Sequence, residues 1–170
     1  MTVYLKAEPG RDDVLYVAQN MRAADREEIY ATQWTDTPGE LTENVMRAGA
    51  FRWGVYVDGL PIAMIGATPR WPGVWQAWAF GTRDWKHVAF TLTRHVRRFM
   101  VPALMNSGAL RVDAYALASH TSSNKWLRSL GATPGKTLDN WGKNGETFVC
   151  FSWLRQDNAA PATAVDQPEG

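Results

Sequence analysis

The sequence predicts an α/β domain, a mixed sheet of about six to seven strands with helices on both faces. Three observations lead there. Strand-like and helical stretches alternate along nearly the whole chain. The pair Asp58-Gly59 joins two strand-like runs. A long amphipathic stretch then precedes a strand, a helix and a last strand. Antiparallel hairpins therefore come first and βαβ-like units second.

The 170 residues fall in the range of one domain, and 45% hydrophobic with 21% charged content is ordinary for a packed core. The domain is expected over residues 1–154. Residues 155–170 have almost nothing to bury and are expected to form a disordered C-terminal tail. Eighteen Lys and Arg against seventeen Asp and Glu leave a net charge of +1. Affinity for an anionic partner must then come from local clustering. Cys150 is the only cysteine, which excludes an intrachain disulfide and a Cys-based zinc site and fits a reducing compartment. Its apolar run FVCFSW marks it as a packed strand residue. The charged residues Lys6, Glu8, Arg11, Asp12 and Asp13 leave no apolar stretch for a secretion signal. No window approaches the roughly eighteen apolar residues of a membrane span.

VYLKA alternates sides and reads as a first strand, ended by Pro9-Gly10. Helices are expected over residues 12–21, opened by Asp12 and Asp13, and over 24–32. Thr37-Pro38-Gly39-Glu40 has the form of a capping box for a third helix that carries Leu41, Val45 and Ala48 and stops at Gly49. FRWGVYV and PIAMIGAT flank Asp58-Gly59-Leu60 as a hairpin, and VWQAWAF adds a third strand after the turn at Pro72-Gly73. A long helix is expected from Thr82 or Arg83 to Met100, continuing distorted past Pro102 to Asn106. RVDAYAL is the next strand. Ser122 or Ser123 caps a helix that ends at Gly131, residues 132–145 form a loop, and TFVCFSWL closes the sheet.

At about 100° per residue, Arg83, Lys86, His87, Arg94, Arg97 and Arg98 share roughly one third of the long helix's circumference. Trp85, Val88, Leu92, Val96 and Phe99 fall opposite and form the face expected to dock on the sheet. A solvated face is the ordinary explanation of such a basic stripe. Only Asp84 interrupts it, however, so i,i+4 ion pairing is not its purpose. The stripe, with Arg94, Arg97 and Arg98 at its centre, suits an acidic protein surface, a phosphate-bearing ligand or nucleic acid. Of nine tryptophans, Trp34, Trp71 and Trp141 fall in expected loops, where exposure would mark an interaction surface.

ALASHTSSNKWLRSLGA runs strand, polar bend, helix, Leu-Gly-Ala. That order resembles the second half of the acetyl-CoA site in the GNAT (N-acetyltransferase) superfamily, and the element order resembles that fold from Val3 to Leu154. Together with WQAWAF and the basic helix, the segment resembles the internal virion protein A family of short-tailed phages, a GNAT-like group. The resemblance implies a virion or assembly component that contacts other virion proteins and resides in the host cytoplasm and the phage particle. It also implies acetyl-CoA as the cofactor of any active form.

Acetyl transfer in this fold asks for a glycine-bearing pyrophosphate cradle, a base and an acid. Arg83 matches the cradle's first position, but Lys86 and Val88 stand where glycines belong and would hinder close backbone approach. The strand before the helix offers only Gln76 in place of a carboxylate base, and Leu127 replaces the tyrosine acid. Remaining cofactor contacts by this resemblance are Arg83, Lys86, His87, His120 and Asn124. His120, at the bend, is a candidate pantetheine contact or base; Tyr115 is a candidate acid, and His87 or His95 an alternative base. With all three chemical positions altered, catalysis and a bound cofactor are not expected.

Overall fold

The computed structural model describes residues 1–156. The expected tail lies outside them but for its first two residues. The elements are β1 Val3–Ala7, α1 Arg11–Gln19, α2 Ala23–Tyr30, α3 Pro38–Arg47, β2 Arg52–Val57, β3 Leu60–Trp71, β4 Val74–Gly81, a 3₁₀ turn Arg83–His87, α4 Ala89–His95, a π segment Val96–Met100, α5 Val101–Asn106, β5 Arg111–Leu117, α6 Thr121–Ser129, β6 Thr133–Leu138 and β7 Phe148–Leu154. They form one seven-stranded sheet in the order β1-β2-β3-β4-β5-β7-β6. All neighbours are antiparallel except β4 and β5.

Asp58 and Gly59 turn β2 into β3 with φ of 48° and 86°. Two positive φ values define the turn whose twist matches that of paired strands, which is why Asp-Gly is so strong a signal. One side of the sheet packs on the α4–α5 run and α6, through Ile65, Ala67, Val112 and Phe151. The other side carries α1, α2 and α3, whose Val14, Val17, Tyr30, Leu41 and Val45 cover Met64 and Phe80.

The long helix is segmented, and the segmentation changes its faces. Its buried stripe is Val88, Leu92, Val96, Met100 and Leu104, a strict four-residue spacing. A regular helix repeats every 3.6 residues, so the stripe stays on the sheet only because the π segment widens the turn. Phe99, expected on the buried side, is therefore carried outward and is 51% exposed, while Met100 takes its place in the core.

Three local expectations are corrected. The Thr37 side chain makes no cap bond to the α3 terminus. Glu40 instead accepts from Thr35 Oγ1, so the capping box does not form. α6 begins at Thr121 with His120 as its N-cap, so neither Ser122 nor Ser123 serves. Residues 133–138, expected as loop, pair with β7 as an edge strand broken between Pro134 and Thr137. A proline and a glycine are tolerated there because an edge strand needs hydrogen bonds on one side only. Cys150 is buried, as its strand setting implied. No helix of the described residues is long and apolar enough to cross a membrane.

Candidate functional site

β4 and β5 pair only from Val74 to Gln76 against Arg111 to Asp113, and both continue beyond without pairing. Strands that diverge in a sheet expose unpaired backbone groups, which must find other partners. α2 supplies two of them. Asp25 accepts a hydrogen bond from Gly81 N at 2.8 Å, at the end of β4. Glu28, one turn further along, accepts from Leu117 N at 2.8 Å, at the end of β5. Each open strand end is thus capped by a carboxylate from the same helix.

The caps sit in a charged cluster. Arg22 Nε lies 2.9 Å from Asp25 Oδ2, and its guanidinium stacks 4.2 Å over the Trp85 ring. His120 Nε2 is 3.2 Å from Glu27 Oε2. Its Nδ1 lies 3.3 Å from Glu28 Oε2 without an aligned hydrogen bond. Burial pushes the Asp25 carboxyl up against the pull of Arg22. Burial pushes Glu28 up to about 7, partly offset by the Leu117 amide and by His120.

A raised carboxyl has a definite consequence for stability. Between the ordinary value of 4.5 and about 7, the folded protein keeps a proton on Glu28 that the unfolded chain has released. Stability contributed by this group therefore falls as pH rises through that window, by roughly 1–3 kcal/mol. Urea titrations at pH 5 and pH 8 are expected to show the wild type losing this amount. Glu28→Gln, which keeps an acceptor for Leu117 N and cannot titrate, is expected to flatten the difference; an equal loss in the variant would assign it to other groups.

Trp85 fills the space beside the β4 end, so close that a Cβ on Gly81 would lie 2.5 Å from its ring. It meets Trp126 of α6 edge to face at a centroid distance of 5.2 Å, and Trp126 Nε1 donates to Thr93 Oγ1 at 2.9 Å. The two rings join the helices on either side of the opening. At the helix entrance, Asp84 N donates to Thr82 Oγ1, Trp85 N to Thr82 O and Val88 N to Trp85 O. A pyrophosphate cradle needs free amides, and these three are engaged within the turn.

The sequence-nominated residues separate into two groups across the tryptophan pair. Arg83, Lys86 and His87 are exposed on the 3₁₀ turn, where His87 Nδ1 lies 3.8 Å from Asp84. His120 and Asn124 sit at the β5–α6 bend. Asn124 Nδ2 donates to the carbonyls of Leu117 and His120, closing the bend. Leu127, at the place of the acid, is buried in the core. Gln76 accepts from Arg70 at 3.0 Å. His95 is packed against Trp53 and Phe99, and burial lowers its pKa.

A cavity of about 390 Å³ lies in the opening itself, with Ala77 and Ala79 of β4, Tyr115 of β5, Glu28, Trp85 and Trp126 in its walls, and Arg70 and Gln76 beside them. Burial raises the Tyr115 hydroxyl's pKa, and its ring stacks on Trp141 at 5.4 Å. Trp34 is 96% exposed and Trp71 61%, and each adjoins a wall residue, Gln33 and Arg70. Arg22, Asp25 and Glu28 were missed in the sequence. Their i, i+3, i+6 spacing places them on one helix side, but nothing local says that this side faces two strand ends.

The mixed sheet, its parallel β4–β5 pair that opens toward the carboxyl ends, and the intervening helix are the architecture of the GNAT N-acetyltransferase fold. Solved structures agree. The ribosomal-protein-S18-alanine N-acetyltransferase of Escherichia coli superposes with a TM-score of 0.67 at 11% identity, covering 97% of this chain and all of that one. Ard1 from Thermoplasma volcanium gives 0.70 at 9%, covering 92% and 100%. A Salmonella typhimurium protein solved with its cofactor acetyl-CoA gives 0.67 at 11%, covering 96% and 100%. At these identities the likeness is one of fold. No family model matches the chain, and no curated protein matches it.

Proposed function

We propose that this chain is a catalytically degenerate GNAT-fold protein that serves as an internal or assembly component of a phage particle, acting through its surface. The observation that carries the loss of catalysis is the helix entrance beside the β4–β5 opening, where the amides of Asp84, Trp85 and Val88 are bonded within the turn and Asp25 and Glu28 take the strand-end amides. The particle role rests on the resemblance of WQAWAF, the basic helix and HTSSNKWLRSLGA to internal virion protein A. It brings with it the host cytoplasm and the virion as locations and other virion proteins as partners. Calorimetry with millimolar acetyl-CoA is expected to give no heat of binding; tight binding would overturn the degenerate reading.

The second reading is an acetyl-CoA-dependent N-acetyltransferase, and one observation favours it. Glu28, raised to about 7, lines the cavity and stands beside His120, so it can hold or release a proton near neutrality. In that reading Tyr115 is the acid and Arg83 and Lys86 hold phosphate by charge alone.

A further inference from the structure

The outer face of residues 83–106 combines charge and flat apolar surface in a way the opening does not explain. Arg83, Lys86, Arg94, Arg97 and Arg98 are exposed. Among the described residues, none of the five makes an ion pair, whereas Arg11, Arg22, Arg111 and Lys143 each do. The stripe's single acid, Asp84, lies beside His87. Five uncompensated cations along roughly 23 Å of helix repel one another and are best satisfied by an extended anion.

Two phenyl rings stand in this stripe. Phe90 is 78% exposed, one helical turn from Lys86 and one from Arg94. Phe99 follows Arg98 and is held by its inner side, with His95 stacked on it at 5.3 Å and Trp53 edge-on at 5.7 Å. That support fixes the ring and leaves its other side open. The π segment places it there, since a regular helix would have turned it toward the sheet. A single exposed phenylalanine is unremarkable. Two on one basic stripe offer stacking surfaces between phosphate-binding groups.

We propose that this face binds single-stranded nucleic acid, with Lys86, Arg94, Arg97 and Arg98 on the phosphates and Phe90 and Phe99 stacked on bases. A duplex hides its bases and gains nothing from the rings, and an acidic peptide has no flat groups to lay on them. An unpaired strand satisfies both. The proposal rests on the reading of this face as the protein's contact surface. It does not depend on what occupies the β4–β5 opening.

Fluorescence anisotropy of the full chain with a labelled oligothymidylate of about 16 nucleotides tests it. Four phosphate contacts predict a slope of log affinity against log salt of roughly −3. R94A/R97A/R98A is expected to shrink that slope by about 2. Phe90→Ala, at an exposed site where folding is not at risk, is expected to weaken binding about tenfold at an unchanged slope. Duplex bound as tightly as single strand, or a triple variant with the wild-type slope, overturns the proposal. So does binding of polyglutamate or anionic vesicles in place of the oligonucleotide. If the oligonucleotide fails to bind while charge reversal at Arg94, Arg97 and Arg98 still blocks incorporation into particles, this proposal falls and the contact-surface reading stands.

Discussion

Asp25→Ala is expected to lower the free energy of unfolding by about 3 kcal/mol or more, read as a reduced urea midpoint at unchanged slope. Asp25 is almost wholly buried. It is the acceptor for Gly81 N and the counter-charge of Arg22. Its removal leaves a backbone donor without a partner at the open end of β4, which alone costs about 1–3 kcal/mol. It also leaves the Arg22 guanidinium over Trp85 without its carboxylate. A second variant separates the two effects, since Arg22→Met in the Asp25→Ala background removes the stranded charge and is expected to recover part of the loss. A decrease under about 1 kcal/mol would mean that water replaces the carboxylate freely and that α2 does not hold the strand end.

Trp85→Ala is expected to cost about 3–5 kcal/mol, the range for truncating a large buried aromatic. The ring belongs to the main core and packs edge to face on Trp126 beneath Arg22. The same variant also tests the proposed lack of coenzyme binding. Removing the ring clears space beside Gly81 but leaves the amides of Asp84 and Val88 engaged within the turn. Acetyl-CoA is accordingly expected to give no heat with the variant either. Binding that appears only in Trp85→Ala would show that the ring was the whole obstruction.

Much of the architecture was legible because its signals are local. Asp58-Gly59 dictates a tight turn through its own backbone preferences, and VYLKA and RVDAYAL became β1 and β5 with the expected bounds. Gly131 adopts φ of 90° beyond α6, as a left-handed helix end requires. β6 was not legible, because Pro134 and Gly135 argue against a strand and only the neighbouring β7 makes one. Phe99 was assigned to the core by a constant 3.6-residue period, and the π segment changed the period within the helix.

The candidate site divides along the same line. By itself the sequence determined the element order and the basic stripe from Arg83 to Arg98. Only the tertiary structure decided that Asp25 and Glu28 cap the diverging strands, and that Trp85 and Trp126 meet between the helices. Turn geometry and helix periodicity act between residues a few positions apart and so are written in short segments. A buried carboxylate's partner is 56 or 89 residues away, and which side of α2 meets the strand ends is settled when the whole core packs.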